Sequence, residues 1–135
     1  MRKRWKRIAV VAVLIAIAAF CVNAVVGRIA GKKRQAQYES QLAAYRAAVK
    51  IGTTRADLEN YLQSRSLQFR HICCALVTPG SGWEDLVKIA SGDPPWYCNY
   101  SNIYIAFEFP RTADNPLGSD RLQNIELFPY LEECM

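Results

Sequence analysis

The sequence predicts an α+β protein: an N-terminal transmembrane helix, then two helices packed on a three- or four-stranded antiparallel sheet. Three observations carry this expectation. Ile8 to Gly27 is a twenty-residue apolar run with one polar side chain, Asn23. Between Gln35 and Leu62 apolar residues recur at spacings of three and four, the helical period. From Leu67 onward the pattern changes to alternation, interrupted by proline- and glycine-containing turns.

At about 1.5 Å of rise per residue, the apolar run covers roughly 30 Å, the thickness of a bilayer's hydrocarbon core. Five basic residues precede it and four follow it closely, so positive charge gives a slight preference for a cytoplasmic N-terminus. Three fates compete for this segment. A lipoprotein signal needs a small residue before its acceptor cysteine, and Phe20 precedes Cys21. A secretory signal needs a small-x-small cleavage site. Val22-Asn23-Ala24 fits that pattern, but the apolar run continues past it through Val25 and Val26. The remaining fate is an uncleaved single-pass anchor, spanning about residues 8–27 of a basic segment 1–34. Cys21 is then a small apolar residue facing lipid.

The net charge of +5 and a pI near 9.1 suggest a nucleic-acid binder. The distribution of charge removes that suggestion. Nine of the 17 basic residues lie in the first 34 positions, where no acidic residue falls. From Gln35 onward eight basic residues face twelve acidic ones, a net of −4. A nucleic-acid binder carries its positive patch on the folded domain. Here the partners expected are a lipid bilayer and a protein, not nucleic acid.

Four cysteines follow the span: Cys73, Cys74, Cys98 and Cys134. An even count in so small a domain predicts two disulfides and an oxidising compartment. Side chains of neighbouring strand residues point to opposite faces. Cys73 and Cys74 are therefore expected to pair elsewhere, one with Cys98 and one with Cys134. Zinc sites show two closely spaced ligand pairs, which this chain lacks, and it has no Cys-x-x-Cys motif. No metal or cofactor is expected.

Gln35 to Lys50 reads as a juxtamembrane helix, with Tyr38, Leu42, Tyr45 and Val49 on one stripe. It runs on from the membrane helix without an intervening proline, although Gly27 and Gly31 weaken the join. The stripe is too short for a dependable coiled coil, so packing onto the protein's own sheet is expected. The domain proper is expected over 51–135. Gly52 suits a left-handed helix cap. Thr54 opens a second helix with Asp57 as its capping partner, and Leu58, Tyr61 and Leu62 face inward. Strands are expected at Leu67–Val77, Leu86–Ala90, Ile103–Phe109 and Leu122–Phe128. Turns or loops are expected at Thr78–Gly82, Ser91–Pro95 and Pro110–Asp120. In the third strand Ile103, Ile105, Phe107 and Phe109 share one face.

The Gly52, Thr53, Thr54, Asp57, Leu58, Leu62 pattern resembles the helix-opening turn of the SmpA/OmlA (BamE-like) outer-membrane assembly lipoproteins. It is similar too to the β-lactamase-inhibitor-like α+β domains. The specific match covers about a dozen residues, and the remainder is element order. The resemblance implies helices on one face of a sheet; it does not fix a function, because fold alone does not. The chain departs from the pattern at Gln63-Ser64-Arg65, where the family helix commonly ends in glycine followed by proline, and it has no lipobox. Pilins resemble it in outline, but the glycine before the apolar run and the glutamate shortly after it are missing.

No catalytic constellation is expected. The single histidine, His71, reads as a packed or hydrogen-bonded strand residue. Ser81 lies in Gly80-Ser81-Gly82, which lacks the full nucleophile-elbow pattern. Glu84/Asp85 and Glu132/Glu133 read as solvated surface. Trp83, Trp96, Tyr97 and Tyr100 flank the expected second strand; they are expected to cap the end of a small core near Cys98, the alternative being a contact surface for a partner. The expected protein is a non-catalytic binding or envelope-assembly module in a bacterial inner membrane, single-pass, with its C-terminal domain extracytoplasmic. The alternatives are an inhibitor or immunity-type protein, anchored or secreted after cleavage, and a pilin-like subunit.

Overall fold

A computed structural model describes residues 2–73, 81–111 and 113–135. The element order is α1 (Arg2–Ala48), α2 (Arg55–Ser64), β1 (Phe69–Cys73), β2 (Ser81–Gly92), β3 (Cys98–Pro110) and β4 (Asn124–Cys134). The sheet is antiparallel throughout, in the order β1-β2-β3-β4. The fold is α+β, as expected, with four strands.

The chain divides into two compact units, Met1–Gln37 and Tyr38–Met135. The first is helical along its described length. Its apolar stretch has a mean hydropathy of 2.2, long and apolar enough to cross a membrane. From Val11 to Ile29 the large apolar side chains are 54–75% exposed. The expected membrane and juxtamembrane helices are one helix, because Gly27 and Gly31 cost stability but leave the hydrogen-bond ladder intact.

The second unit begins within α1. Leu42 from α1, Val49 just after it, and Leu58 and Leu62 from α2 pack on Val87, Ile105, Phe107, Phe109, Leu122 and Ile125. Tyr45 meets Phe107 edge-on, with ring centroids 5.7 Å apart. The stripe predicted on α1 thus packs on this chain's own sheet. Arg46 holds the helix to the sheet by donating from Nε and Nη2 to the Ile125 carbonyl, at 3.0 and 2.7 Å.

The link between the helices is as predicted. Gly52 takes φ +89, the left-handed region where glycine carries no Cβ penalty. Thr54 caps α2: its hydroxyl accepts from the Asp57 N–H at 3.3 Å and donates to the Asp57 carboxylate at 2.6 Å. The turn is stitched to Gly118–Leu122 by four backbone hydrogen bonds: Gly52 N–H to Leu122, Leu122 N–H to Thr53, Arg55 N–H to Asp120 and Ala56 N–H to Gly118. Thr54→Ala is expected to cost about 1 kcal/mol in chemical unfolding, and Thr54→Ser to restore most of it. Past the other end of α2, Ser66 takes the left-handed conformation (φ 56).

β2 and β3 extend beyond their expected limits at both ends, and β4 starts two residues late but runs on past Phe128. β2 covers twelve residues rather than Leu86–Ala90, because register shifts at Gly82 and Ile89 interrupt the pairing without ending the ladder. Gly82 belongs to this irregularity. A Cβ there would lie 2.1 Å from the Arg111 Cβ, so only glycine fits. β4 continues through Pro129 to Cys134, a course tolerated because β4 is an edge strand. β1 covers Phe69–Cys73: Leu67 and Gln68 precede the strand instead of opening it, and positions 74–77 of the predicted strand, with 78–80 of the predicted turn, lie outside the described residues.

Cys98 and Cys134 face each other across β3 and β4 and form a disulfide, with Cα atoms 4.0 Å apart. This corrects the expected pairing, which bonded each of them to Cys73 or Cys74. The antiparallel register places the last residue of β4 opposite the first of β3. Cys73 is disulfide-bonded too, but with neither of these two. Cys74 lies outside the described residues. Cys21 is free and exposed.

The sheet face away from the helices carries Leu86, Tyr104 and Ala106, with Ile72 and Phe128 against them. Arg70 reaches across it, over the Tyr104 and Tyr130 rings, to Glu132 at 2.6 Å. Tyr104 donates its hydroxyl to the same carboxylate, so Glu132 sits in a bonded cluster rather than in free solvent. Its ordinary pKa of 4.5 is lowered, chiefly by the Tyr104 hydroxyl. On this face Glu108 is buried beside Glu126, and Asn124 donates to both. Burial first, then Glu108, raises Glu126 above its ordinary 4.5. Its contribution to stability is therefore complete below that value and is lost as pH rises through the raised one. Relative to wild type, Glu126→Gln is expected to lose less stability over that rise, measured as unfolding midpoint against pH.

Candidate functional site

The most distinctive chemistry lies where α2 meets the β1–β2 edge. Arg55 is the first residue of α2 and is 1% exposed. It shares the inward stripe with Leu58 and Leu62, at spacings of three and four. A helical arginine on an apolar stripe needs acceptors, and the sheet supplies them. Arg55 Nη1 is bonded to Asp85 Oδ1 on β2, its Nε lies 3.9 Å from Asp120 Oδ2, and its guanidinium stacks over Phe109 at 4.0 Å.

Asp85 is fully buried. Glu84 and Asp85, expected in solvent, are both 0% exposed. Successive strand residues point to opposite faces, so two neighbouring carboxylates enter two different interiors. Asp85 shares the helix-side face with Val87, Ile105 and Phe107, and Glu84 lies opposite Glu108 on the other. Burial raises the Asp85 pKa above its ordinary value, and Arg55 and His71 oppose that rise.

His71 on β1 pairs in register with Asp85, and its Nδ1 lies 2.7 Å from Asp85 Oδ1. The expected hydrogen-bonded strand histidine is therefore present, with a buried carboxylate as its partner. Its side chain is 39% exposed, and Nε2 lies 3.9 Å from Glu59 Oε1 on α2. Arg55, Asp85, Asp120, His71 and Glu59 thus form one cluster that runs from the core to the surface. Such a cluster can hold a proton, an anion near Arg55, or a cation among Glu59, His71 and Asp85. Of these the sequence points to His71 as a hydrogen-bonded residue, and to Asp85 only as a solvated carboxylate. The parity of Asp85 with Val87 and the spacing of Arg55 with Leu58 were the signals for the buried pair.

The four aromatic residues expected to group near Cys98 are not brought together. Trp96 is 88% exposed and meets Tyr97 edge-on at 5.7 Å, beside the Cys98–Cys134 bridge. Tyr100 follows on β3 and is exposed. Trp83 lies inside β2 opposite Phe109, half-buried, and donates from Nε1 to the Ala113 carbonyl at 3.2 Å. Cys98 and Phe109 bound nearly the whole of β3, on the order of 35 Å apart at about 3.3 Å per residue. Trp83 is separated from the other three because the second strand is longer than predicted. A groove of about 510 Å³ lies elsewhere, between α1 and α2, lined by Ala44, Tyr45, Ala48, Tyr61, Arg65 and Leu67.

Comparison of the chain with protein-family models, with curated proteins and with solved structures gives no match.

Proposed function

We propose that the protein is a membrane-anchored, non-catalytic binding or assembly module whose disulfide-bonded domain lies outside the cytoplasm of a bacterial cell. The observation that carries this reading is the apolar part of α1. Its large side chains are 54–75% exposed, a pattern that water penalises and a bilayer favours. The Cys98–Cys134 bridge supports an oxidising location for the domain. Together they favour a single-pass protein with a cytoplasmic N-terminus.

The experiment is labelling of intact cells with a membrane-impermeant thiol reagent, before and after an impermeant reductant. Labelling of Cys98 and Cys134 only after reduction supports the reading. Labelling that requires permeabilised cells overturns it.

The exposed Trp96–Tyr97 pair favours a second reading, that an anchored inhibitor or immunity-type protein engages a partner through this end. Large rigid aromatics supply contact area at low entropic cost. Trp96→Ala is expected to weaken capture of one stoichiometric partner at least tenfold with the unfolding midpoint unchanged. Equal capture by the variant removes this surface from consideration.

A further inference from the structure

Glu59, His71 and Asp85 come from α2, β1 and β2, and each brings a ligand atom within 4.8 Å of the other two. We propose that they form a binding site for a divalent cation of the zinc type, held by one imidazole nitrogen and one oxygen from each carboxylate.

The donor set selects the ion. One imidazole with two carboxylates suits zinc, whereas calcium and magnesium prefer oxygen ligands alone. Three protein ligands leave a fourth tetrahedral position for water or for a group from a partner.

A second observation comes from Asp85. Its Oδ1 is engaged by Arg55 and His71, while its Oδ2, fully buried, meets no hydrogen-bond partner among the described residues. A buried carboxylate oxygen without a donor costs stability, and a metal bond satisfies it. Charge points the same way. Arg55 is opposed by Asp85, Asp120 and Glu59, so with a neutral imidazole the cluster carries −2. A divalent cation brings it to zero. Arg55 then holds Asp85 in place, as partners of metal-ligating carboxylates do.

The site is also reachable. The side chains of His71 and Glu59 are 39% and 28% exposed, so an ion enters from the surface without opening the core. Zinc bonds of about 2.0–2.2 Å set tetrahedral ligands roughly 3.4 Å apart. Glu59 Oε1 lies 3.9 Å from Nε2 and Asp85 Oδ1 2.7 Å from Nδ1, so a turn of the exposed imidazole is needed to bring one nitrogen to both carboxylates.

The test uses the whole chain in detergent micelles, stripped with a chelator, in a Cys21→Ala background that removes the one free thiol among the described residues. Zinc chloride is titrated by calorimetry, and the unfolding midpoint is read with and without zinc. The expected result is one zinc per chain, with affinity reduced at least tenfold in His71→Ala and in Glu59→Gln. Zinc should raise the midpoint of the parent chain more than that of either variant, and equal concentrations of calcium or magnesium should not raise it. Glu59→Gln keeps its place on a partly exposed helix face, so it reads the site even if His71→Ala is poorly folded. Absence of saturable binding, equal binding by Glu59→Gln, or displacement of zinc by equimolar calcium overturns the proposal and leaves an ion-pair cluster with a purely structural role.

Discussion

Arg55→Ala is expected to destabilise the Tyr38–Met135 unit by about 3–5 kcal/mol, the cost of breaking a buried ion pair from one side. Asp85 would keep its place in the interior with no cation against it, and Asp120 would lose its neighbour. The Phe109 ring would also lose the guanidinium stacked on it. Arg55→Lys is expected to recover little. An ammonium is compact and cannot bond Asp85 while lying flat over the ring. Lys88→Ala, at an exposed strand position, should stay within about 0.5 kcal/mol of wild type. Urea unfolding of the three variants in the same micelles checks the ordering. A loss below 1 kcal/mol for Arg55→Ala would show that the pair is solvated or dispensable.

The second large effect is expected from the bridge. Cys98→Ala with Cys134→Ala should cost about 2–4 kcal/mol, because the bond closes a loop with a sequence separation of 36 and restricts the unfolded chain. Reduction of the wild type should produce the same loss. The bridge lies at one end of the ladder, where Met135 N–H also bonds the Tyr97 carbonyl at 2.9 Å. Hydrogen exchange should therefore accelerate first at Asn99–Ser101 and Leu131–Glu133, before the amides around Phe107. Uniform acceleration would mean that the bridge acts on the whole unit at once.

Much of this fold was legible because periodicity reports burial. The stripe through Leu42 and Val49, the cap at Thr54 and the alternation through Ile105, Phe107 and Phe109 each point to the side chains found in those places. Glycine and proline misled where the sheet absorbs them. Gly82, part of the expected turn Thr78–Gly82, lies at a bulge, and Pro129, beyond the expected strand Leu122–Phe128, lies within an edge strand. Disulfide partners depend on strand register, which no local pattern fixes, so the Cys98–Cys134 pairing was not accessible from spacing.

The cluster around Arg55 was missed for a different reason. Charged residues are exposed so consistently that Asp85 was assigned to solvent on its type alone. Strand parity with Val87 contradicts that assignment, and helical spacing with Leu58 contradicts it for Arg55. Polar residues that break the expected pattern often mark sites where structure is held for another purpose.

The most direct test of the anchored, extracytoplasmic reading is the intact mass of protein extracted from membranes after thiol trapping, recorded before and after reduction. The expected result is a chain that retains Phe20–Ala24, carries no lipid on Cys21, and gains label at Cys98 and Cys134 only after reduction. A chain shortened through Ala24, a lipid adduct on Cys21, or label on Cys98 and Cys134 before reduction would contradict it.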